Sequence, residues 1–340
     1  MLISKNTARE HMKKLLGTII ENDEKKGRFI DYWEWSQGVC LTGIAKAYEA
    51  TKEEEYAAFL KAWFKRNNEK KIFGSVNCVI PCYAALTLYK KTKDSFYKDI
   101  CDTYAAWTKE AALKTTNGAL AHVWSRGGLE DYKNQLWADS VFMAGMFMVA
   151  YGKEIGDEKL LRDGIEQFKI HLECLFDADA QLFSHGYHCI EEKRLGAHWG
   201  RGNGWVVAAL SEIFNILGTE NCPDNFKSIF KTVMAKAKSL KTEKGMIRTL
   251  VDQEDSYEES TASQLFGYAA IRGNEAEILD ESYISWAKEI NEALEFYDDG
   301  AAKFASGGTD CQDVAGYYNI KFVESGYSDG ITLMFLSRFV

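Results

Sequence analysis

The sequence is poor in chain breakers. Its 340 residues include two prolines, Pro81 and Pro223. Proline removes a backbone donor and stops helices, so this scarcity permits helices from end to end. No stretch holds about 18 consecutive apolar residues, which excludes a helical membrane span. An excess of cations is missing too: 41 lysines and arginines face 50 aspartates and glutamates, for a formal net charge of −9. Such a surface repels phosphate backbones, so nucleic acid is excluded as a partner. A small anionic substrate is not, because one arginine in a pocket outweighs a diffuse field at contact range. None of the eight cysteines stands in a CxxC pair. They read as small buried hydrophobes of a reduced, cytoplasmic protein. The N-terminus lacks a signal-type apolar run with a cleavage site.

What is present is ordinary for a soluble protein, with 46 % hydrophobic and 27 % charged residues. Helical periodicity predicts helices over 4–25, 36–50, 53–66, 77–93, 94–113, 137–155, 157–175, 203–217, 223–240, 260–272, 276–295 and 327–339. They alternate in character. SVFMAGMFMVAYG (140–152) and GWVVAALSEIFNILG (204–218) are apolar all round, as buried helices are. DEKLLRDGIEQFKIHLE (157–173) carries a charged stripe, as an outer helix does. Six inner and six outer helices in alternation describe an all-α, (α/α)6 barrel, with residues 1–340 as one catalytic domain. Turns from inner to outer helices are short. The return loops 114–136, 176–202, 241–259 and 296–326 are long, so they share one end of the barrel, at the N-termini of the inner helices. That end carries partial positive charge.

The residues at this mouth are DYWEWSQG (31–38), GSVNCVIP (74–81), NQLWADS (134–140), HWGRGNGW (198–205), YEESTAS (257–263) and VESGYSDG (323–330). Flat rings such as Trp35, amides, carboxylates and glycines converge there, a rim suited to a sugar. Asp139 follows Trp137 and precedes an apolar helix. Desolvation there raises a carboxyl pKa and lets it hold a proton near neutrality; the alternative is a helix cap. Arg201, between glycines, is either a fork for a substrate carboxylate or a pin for its own loop. Trp199 and Trp205 are stacking platforms or core. His185 and His122 are loop histidines able to meet a substrate or to pack. His185, His188, Cys189 and His198 match no structural zinc spacing, so no metal is expected. GRGNG (200–204) has no preceding strand and is no dinucleotide fingerprint.

LWADSVFMAG, LFSHGYH, HWGRGNGW and YEESTASQLFGYA, in that order, resemble the unsaturated rhamnogalacturonyl hydrolases of glycoside hydrolase family 105, relatives of the family 88 unsaturated glucuronyl hydrolases. The likeness runs from about Tyr32 to Tyr327. It implies an (α/α)6 barrel. It also implies a glycoside hydrolase that removes a Δ4,5-unsaturated uronic acid from the non-reducing end of short lyase products, without cofactor or metal. Asp139 would protonate C4 of the vinyl ether and then activate the water that adds at C5. Arg201 and Trp205 would meet the uronate, with His185, Trp137 and the loop histidine His122 around the acid. SRGGLED (125–131) lengthens the loop between His122 and Asp139. Asn77 stands where many relatives carry a second aspartate, which leaves Asp139 as the single catalytic carboxylate. A sugar epimerase relative and a non-catalytic carbohydrate-binding barrel are the alternatives.

Overall fold

The computed structural model describes residues 5–21, 28–123, 132 and 134–340. The lengthened loop expected at 125–131, and the ends of the first expected helix, lie outside the described residues.

Thirteen α-helices stand among the described residues. The outer ones are α1 (Lys5–Glu21), α3 (Glu54–Asn67), α5 (Ser95–Glu110), α7 (Glu158–Leu175), α9 (Asp224–Ser239) and α11 (Glu281–Ala293). Between them in the chain come the inner helices α2 (Trp35–Thr51), α4 (Pro81–Thr92), α6 (Met146–Ile155), α8 (Gly200–Leu217), α10 (Ser260–Glu275) and α13 (Gly326–Leu336). The short α12 (Val314–Tyr318) lies in the loop before α13. Packing closes a ring: α2 meets α4, α4 meets α6, then α8, α10 and α13 follow, and α13 returns to α2. The chain is an (α/α)6 barrel.

Composition explains the layers. Every residue of α13 is buried, and so are α8 from Gly200 to Phe214 and most of α2. α7 instead buries one stripe, including Leu160, Gln167, Phe168, His171 and Leu172, and sends its charges outward. The seam between the first and last inner helices needs glycine. A Cβ on Gly43 would lie 2.1 Å from the Gly330 carbonyl oxygen, and one on Gly330 2.3 Å from that of Val39. Backbone meets backbone there.

Charge is also buried inside the ring. Glu212 of α8 accepts from Lys46 (2.5 Å), Tyr83 (3.0 Å), Tyr268 (2.6 Å) and Arg272 (2.7 Å), which tie α2, α4 and α10 to α8.

Several boundaries differ from the periodicity. The segment expected as helix 137–155 begins as a strand, β1 (Gln135–Trp137), and passes through a π-helical turn, Val141–Gly145, before α6. α4 starts at Pro81 rather than 77, because Ser75 caps a separate 3-10 turn over Val76–Cys78. α8 starts at Gly200 rather than 203, so the glycine-rich run is the first turn of an inner helix. Strands β2 (Phe176–Asp177) and β3 (Leu182–Phe183) form a small hairpin. β4 (Gly186–His188) lies between β1 and β5 (Lys193–Leu195), antiparallel to both, with Trp137 opposite Gly186. Strand pairing is non-local, so a helical period cannot reveal it. No helix among the described residues is long and apolar enough to cross a membrane.

Candidate active site

The barrel mouth holds a cavity of about 490 Å³. Trp35, Asn77, His122, Trp137, Asp139, Trp199, Arg201 and Trp205 all line it. They come from the starts or approaches of four inner helices and from the loop after α5. The ninth expected residue, His185, stands directly behind Asp139.

The three-stranded sheet builds that pair. Asp139 leaves the end of β1, and the Ala138 amide donates to the His185 carbonyl at 2.9 Å, next to the Trp137–Gly186 register. His185 Nε2 then lies 3.6 Å from Asp139 Oδ2. Neither atom has a hydrogen-bond partner among the described residues, and both are buried. Two orphaned polar atoms side by side are costly unless they share a hydrogen. The π-helical turn that follows places Met143 in the same wall. Such turns recur at functional sites.

The electrostatics correct one expectation. Burial pushes the Asp139 carboxyl up, but the adjacent His185 imidazole, and His122 beyond it, hold it below the ordinary carboxylate value. These neighbours therefore keep Asp139 ionised, where desolvation alone predicts a proton. Burial also pushes His122 down to about 4, so that ring is neutral near pH 7 and His185 is the neighbour that matters. His122 stacks on Trp137 at 4.2 Å and 8° between planes, and its Nδ1 lies 3.4 Å from Ser140 Oγ. His185 meets Trp137 edge-on at 5.0 Å and Trp199 at 4.3 Å. The acid thus sits in a box of rings.

Arg201 reaches the cavity, yet its guanidinium is bound to its own chain. Nη1 donates to the Ser306 carbonyl (2.9 Å) and hydroxyl (2.7 Å), and Nη2 to the Gly307 carbonyl (2.7 Å) and Thr309 Oγ1 (3.0 Å). Glu259 Oε1 lies 3.9 Å away. Rings of Trp199 and Tyr327 sandwich the cation at 4.7 and 5.0 Å. A free two-pronged fork is therefore not what Arg201 offers. It pins the loop that brings Gly308 and Thr309 into the wall, the second of the two roles its sequence allows. The guanidinium covers one face of Trp199, so that ring is no open platform, and its Nε1–H is buried without a hydrogen-bond partner among the described residues. Trp205 packs on Phe142 at 4.5 Å and is almost fully buried. Of these tryptophans Trp35, half-buried against Tyr327 at 4.8 Å, is the open one, and Phe29 and Tyr32 add exposed rings to the wall.

Asn77 lines the cavity half-buried. A second carboxylate does stand in the wall, but on a different element. Glu34 Oε2 accepts from the Trp35 amide at 3.0 Å and caps α2. Glu34, Tyr32, Ser36 and Gln37 lie in DYWEWSQG, a segment that the sequence marks while showing only Trp35 by type. Gly308 and Thr309 come from a long loop with no such signal.

The residues weighed as metal ligands separate. His185 turns to Tyr317 (2.7 Å), His188 accepts from the Glu191 amide (3.2 Å), and His198 meets Asp252 (2.7 Å). Among the described residues no group of three or more His, Cys, Asp or Glu is placed to hold a metal.

Residues 9–340 match Glycosyl Hydrolase Family 88. An unsaturated rhamnogalacturonyl hydrolase, YesR of Bacillus subtilis, is 29% identical over 328 residues, covering 94% of this chain and 93% of that protein. A crystal structure described as a possible member of the GH105 family, from Salmonella enterica, superimposes with a TM-score of 0.92 at 21% identity, over 100% of this chain and 95% of that one. An unsaturated glucuronyl hydrolase from Bacillus sp. GL1, described as responsible for glycosaminoglycan degradation, gives 0.75 at 17%, over 97% and 96%.

Proposed function

The chain belongs to Glycosyl Hydrolase Family 88, and from that premise we propose that Asp139 hydrates the double bond of a Δ4,5-unsaturated uronic acid at the end of a short oligosaccharide. The protein is a glycoside hydrolase that takes this terminal residue from lyase products. The carrying observation is the Asp139–His185 pair, 3.6 Å apart, with an unpartnered atom on each side, at the floor of an aromatic cavity.

The chemistry follows from the polarity of the vinyl ether. The ring oxygen pushes electrons to C4, so C4 takes a proton from the Asp139 carboxyl and positive charge spreads over C5 and the ring oxygen. Water adds at C5 while the Asp139 carboxylate receives its proton. The hemiketal opens: a C5 ketone forms, the C5–ring oxygen bond breaks, and the hemiacetal left at C1 collapses to an aldehyde and expels the departing sugar. One carboxyl serves as acid and then as base. Its proton must be gained on binding, because His185 by itself holds the group ionised. A uronate carboxylate brought beside it supplies the like charge that pushes the pKa up. His122 and Trp137 keep water away from one side, and Trp35 stacks on the sugar.

The name of the Bacillus subtilis relative supports rhamnose-linked substrates. The whole chain is one catalytic unit in this reading, since the first and last inner helices close the ring. Cys40, Cys78, Cys82, Cys101 and Cys222 are buried free thiols, which suits a cytoplasmic setting.

Loss of double-bond absorbance from lyase-generated disaccharides tests the activity, and separates it from an epimerase or a sugar-binding barrel. Asp139→Asn is expected to abolish turnover and leave disaccharide binding largely intact. A variant with the parent rate would sink the mechanism.

A further inference from the structure

We propose that Tyr317 is a positioning residue for the catalytic pair: its hydroxyl fixes His185 in the tautomer that carries hydrogen on Nε2, so that an N–H faces Asp139. The inference rests on the reading of Asp139 as the proton donor.

Tyr317 is fully buried on α12 and is remote in sequence from the rest of the site. Its hydroxyl oxygen lies 2.7 Å from His185 Nδ1. The fold makes room for it. Gly196 has a left-handed φ of +71°, and a Cβ there would come within 2.5 Å of the Tyr317 oxygen and 3.0 Å of His185 Cβ.

Both ends of the imidazole select the same tautomer. At Nδ1, the phenol oxygen is the neighbour at 2.7 Å, and a phenol that keeps its hydrogen gives it to the best acceptor in reach. The candidates are His185 Nδ1 and the Cys311 sulfur beside it. An imidazole nitrogen is the stronger acceptor and a thiol sulfur a weak one. Burial pushes the phenol far above its ordinary value, so it remains a donor. At Nε2, the neighbour is Asp139 Oδ2 at 3.6 Å. A lone pair turned to a carboxylate is repelled, whereas an N–H is attracted.

The groups facing His185 are Asp139 from the segment before α6, His122 from the loop after α5, and Cys311 and Tyr317 from the loop before α13. Trp137 and Trp199 complete the box, with Arg201 behind Trp199. Among the described residues only Tyr317 and Asp139 meet the ring nitrogens. With hydrogen on Nε2, His185 steadies the Asp139 carboxylate without taking its proton, and the proton stays available for C4. With hydrogen on Nδ1, a protonated Asp139 would donate into Nε2 and turn away from the sugar.

Nitrogen-15 histidine spectra of the whole protein without substrate read the tautomer directly. In the parent, His185 is expected to carry hydrogen on Nε2. In Tyr317→Phe, Nδ1–H is expected to gain population. Loss of one hydrogen bond to the pair is expected to lower kcat roughly tenfold. KM should be little changed, and the alkaline limb of the kcat profile should move to higher pH. Tyr318→Phe, which removes from the same short helix a hydroxyl that donates to Asp255 at 2.6 Å, should keep the parent tautomer and profile. Hydrogen on Nδ1 in the parent overturns the proposal even if no variant folds, and so does a Tyr317→Phe protein with unaltered kcat and pH limb. If the parent consumes no lyase product, the functional reading fails while the spectra still decide the role of Tyr317.

Discussion

Asp139 shows how a residue-level argument changes when neighbours are added. Desolvation by itself predicts a carboxyl that rests protonated, but an imidazole 3.6 Å away reverses the direction. The consequence is a difference between two pH profiles. The acid form is the active one, so rate falls as pH rises through the Asp139 pKa. In the free enzyme that pKa is low, and kcat/KM reports it; in the complex the substrate carboxylate raises it, and kcat reports that. The alkaline limb of kcat should therefore lie at higher pH than that of kcat/KM. The gap should shrink for the methyl ester of the same substrate, which brings no charge. Equal limbs for acid and ester would show that the anion does not load the proton. Arg201 follows the same pattern. Its type suggests a carboxylate clamp, and its four short hydrogen bonds to residues 306–309 make it a strut instead.

At the scale of elements, the inner helices are held by charge as well as by apolar contact. Burial pushes the Glu212 carboxyl up, but Lys46 and Arg272 pull it down further, to well below the usual carboxylate range. A folded pKa below the unfolded one contributes stability that is present above the ordinary carboxylate value and lost as pH falls through the folded value. Glu212→Gln leaves Lys46 and Arg272 each with one more exposed carboxylate, Glu49 and Glu275, and is expected to cost ~1–3 kcal/mol at neutral pH. Urea unfolding should show that cost, and the difference from the parent should narrow in acid. A cost that is constant with pH would place the stabilisation in packing rather than in charge. Two of the element boundaries that the periodicity misplaced share one cause. β1 and the early start of α8 depend on partners distant in sequence: Gly186 opposite Trp137, and the Thr249 carbonyl that accepts from the Gly200 amide at 2.7 Å.

For the molecule as a whole, closure is the decisive event, because the mouth exists only when α13 packs on α2. Gly43→Ala would drive a methyl group into the Gly330 backbone at 2.1 Å. Backbone cannot rotate away as a side chain can, so the cost should be about 1–3 kcal/mol or more. Gly17→Ala is the contrast. Gly17 sits in α1, and a Cβ there meets nothing within 4 Å. That change should stabilise by roughly 0.5–1 kcal/mol through helix propensity. Thermal melts that move in opposite directions would bear this out. Equal losses would mean that the seam is looser than the distances state.

The sequence by itself determined the barrel, because the alternation of helices buried all round with helices buried on one stripe is a local property of the chain. It also determined which segments reach the mouth, since long loops, tryptophans and glycines mark them wherever the chain goes. Only the tertiary structure decided what each side chain does there. The charge state of Asp139, the commitment of Arg201, the carboxylate of Glu34 in the wall and the hydroxyl of Tyr317 behind His185 depend on groups that meet across the ring. Hydrogen bonds and pKa values are set within a few ångströms, and those ångströms are crossed by residues that stand from tens to more than a hundred positions apart.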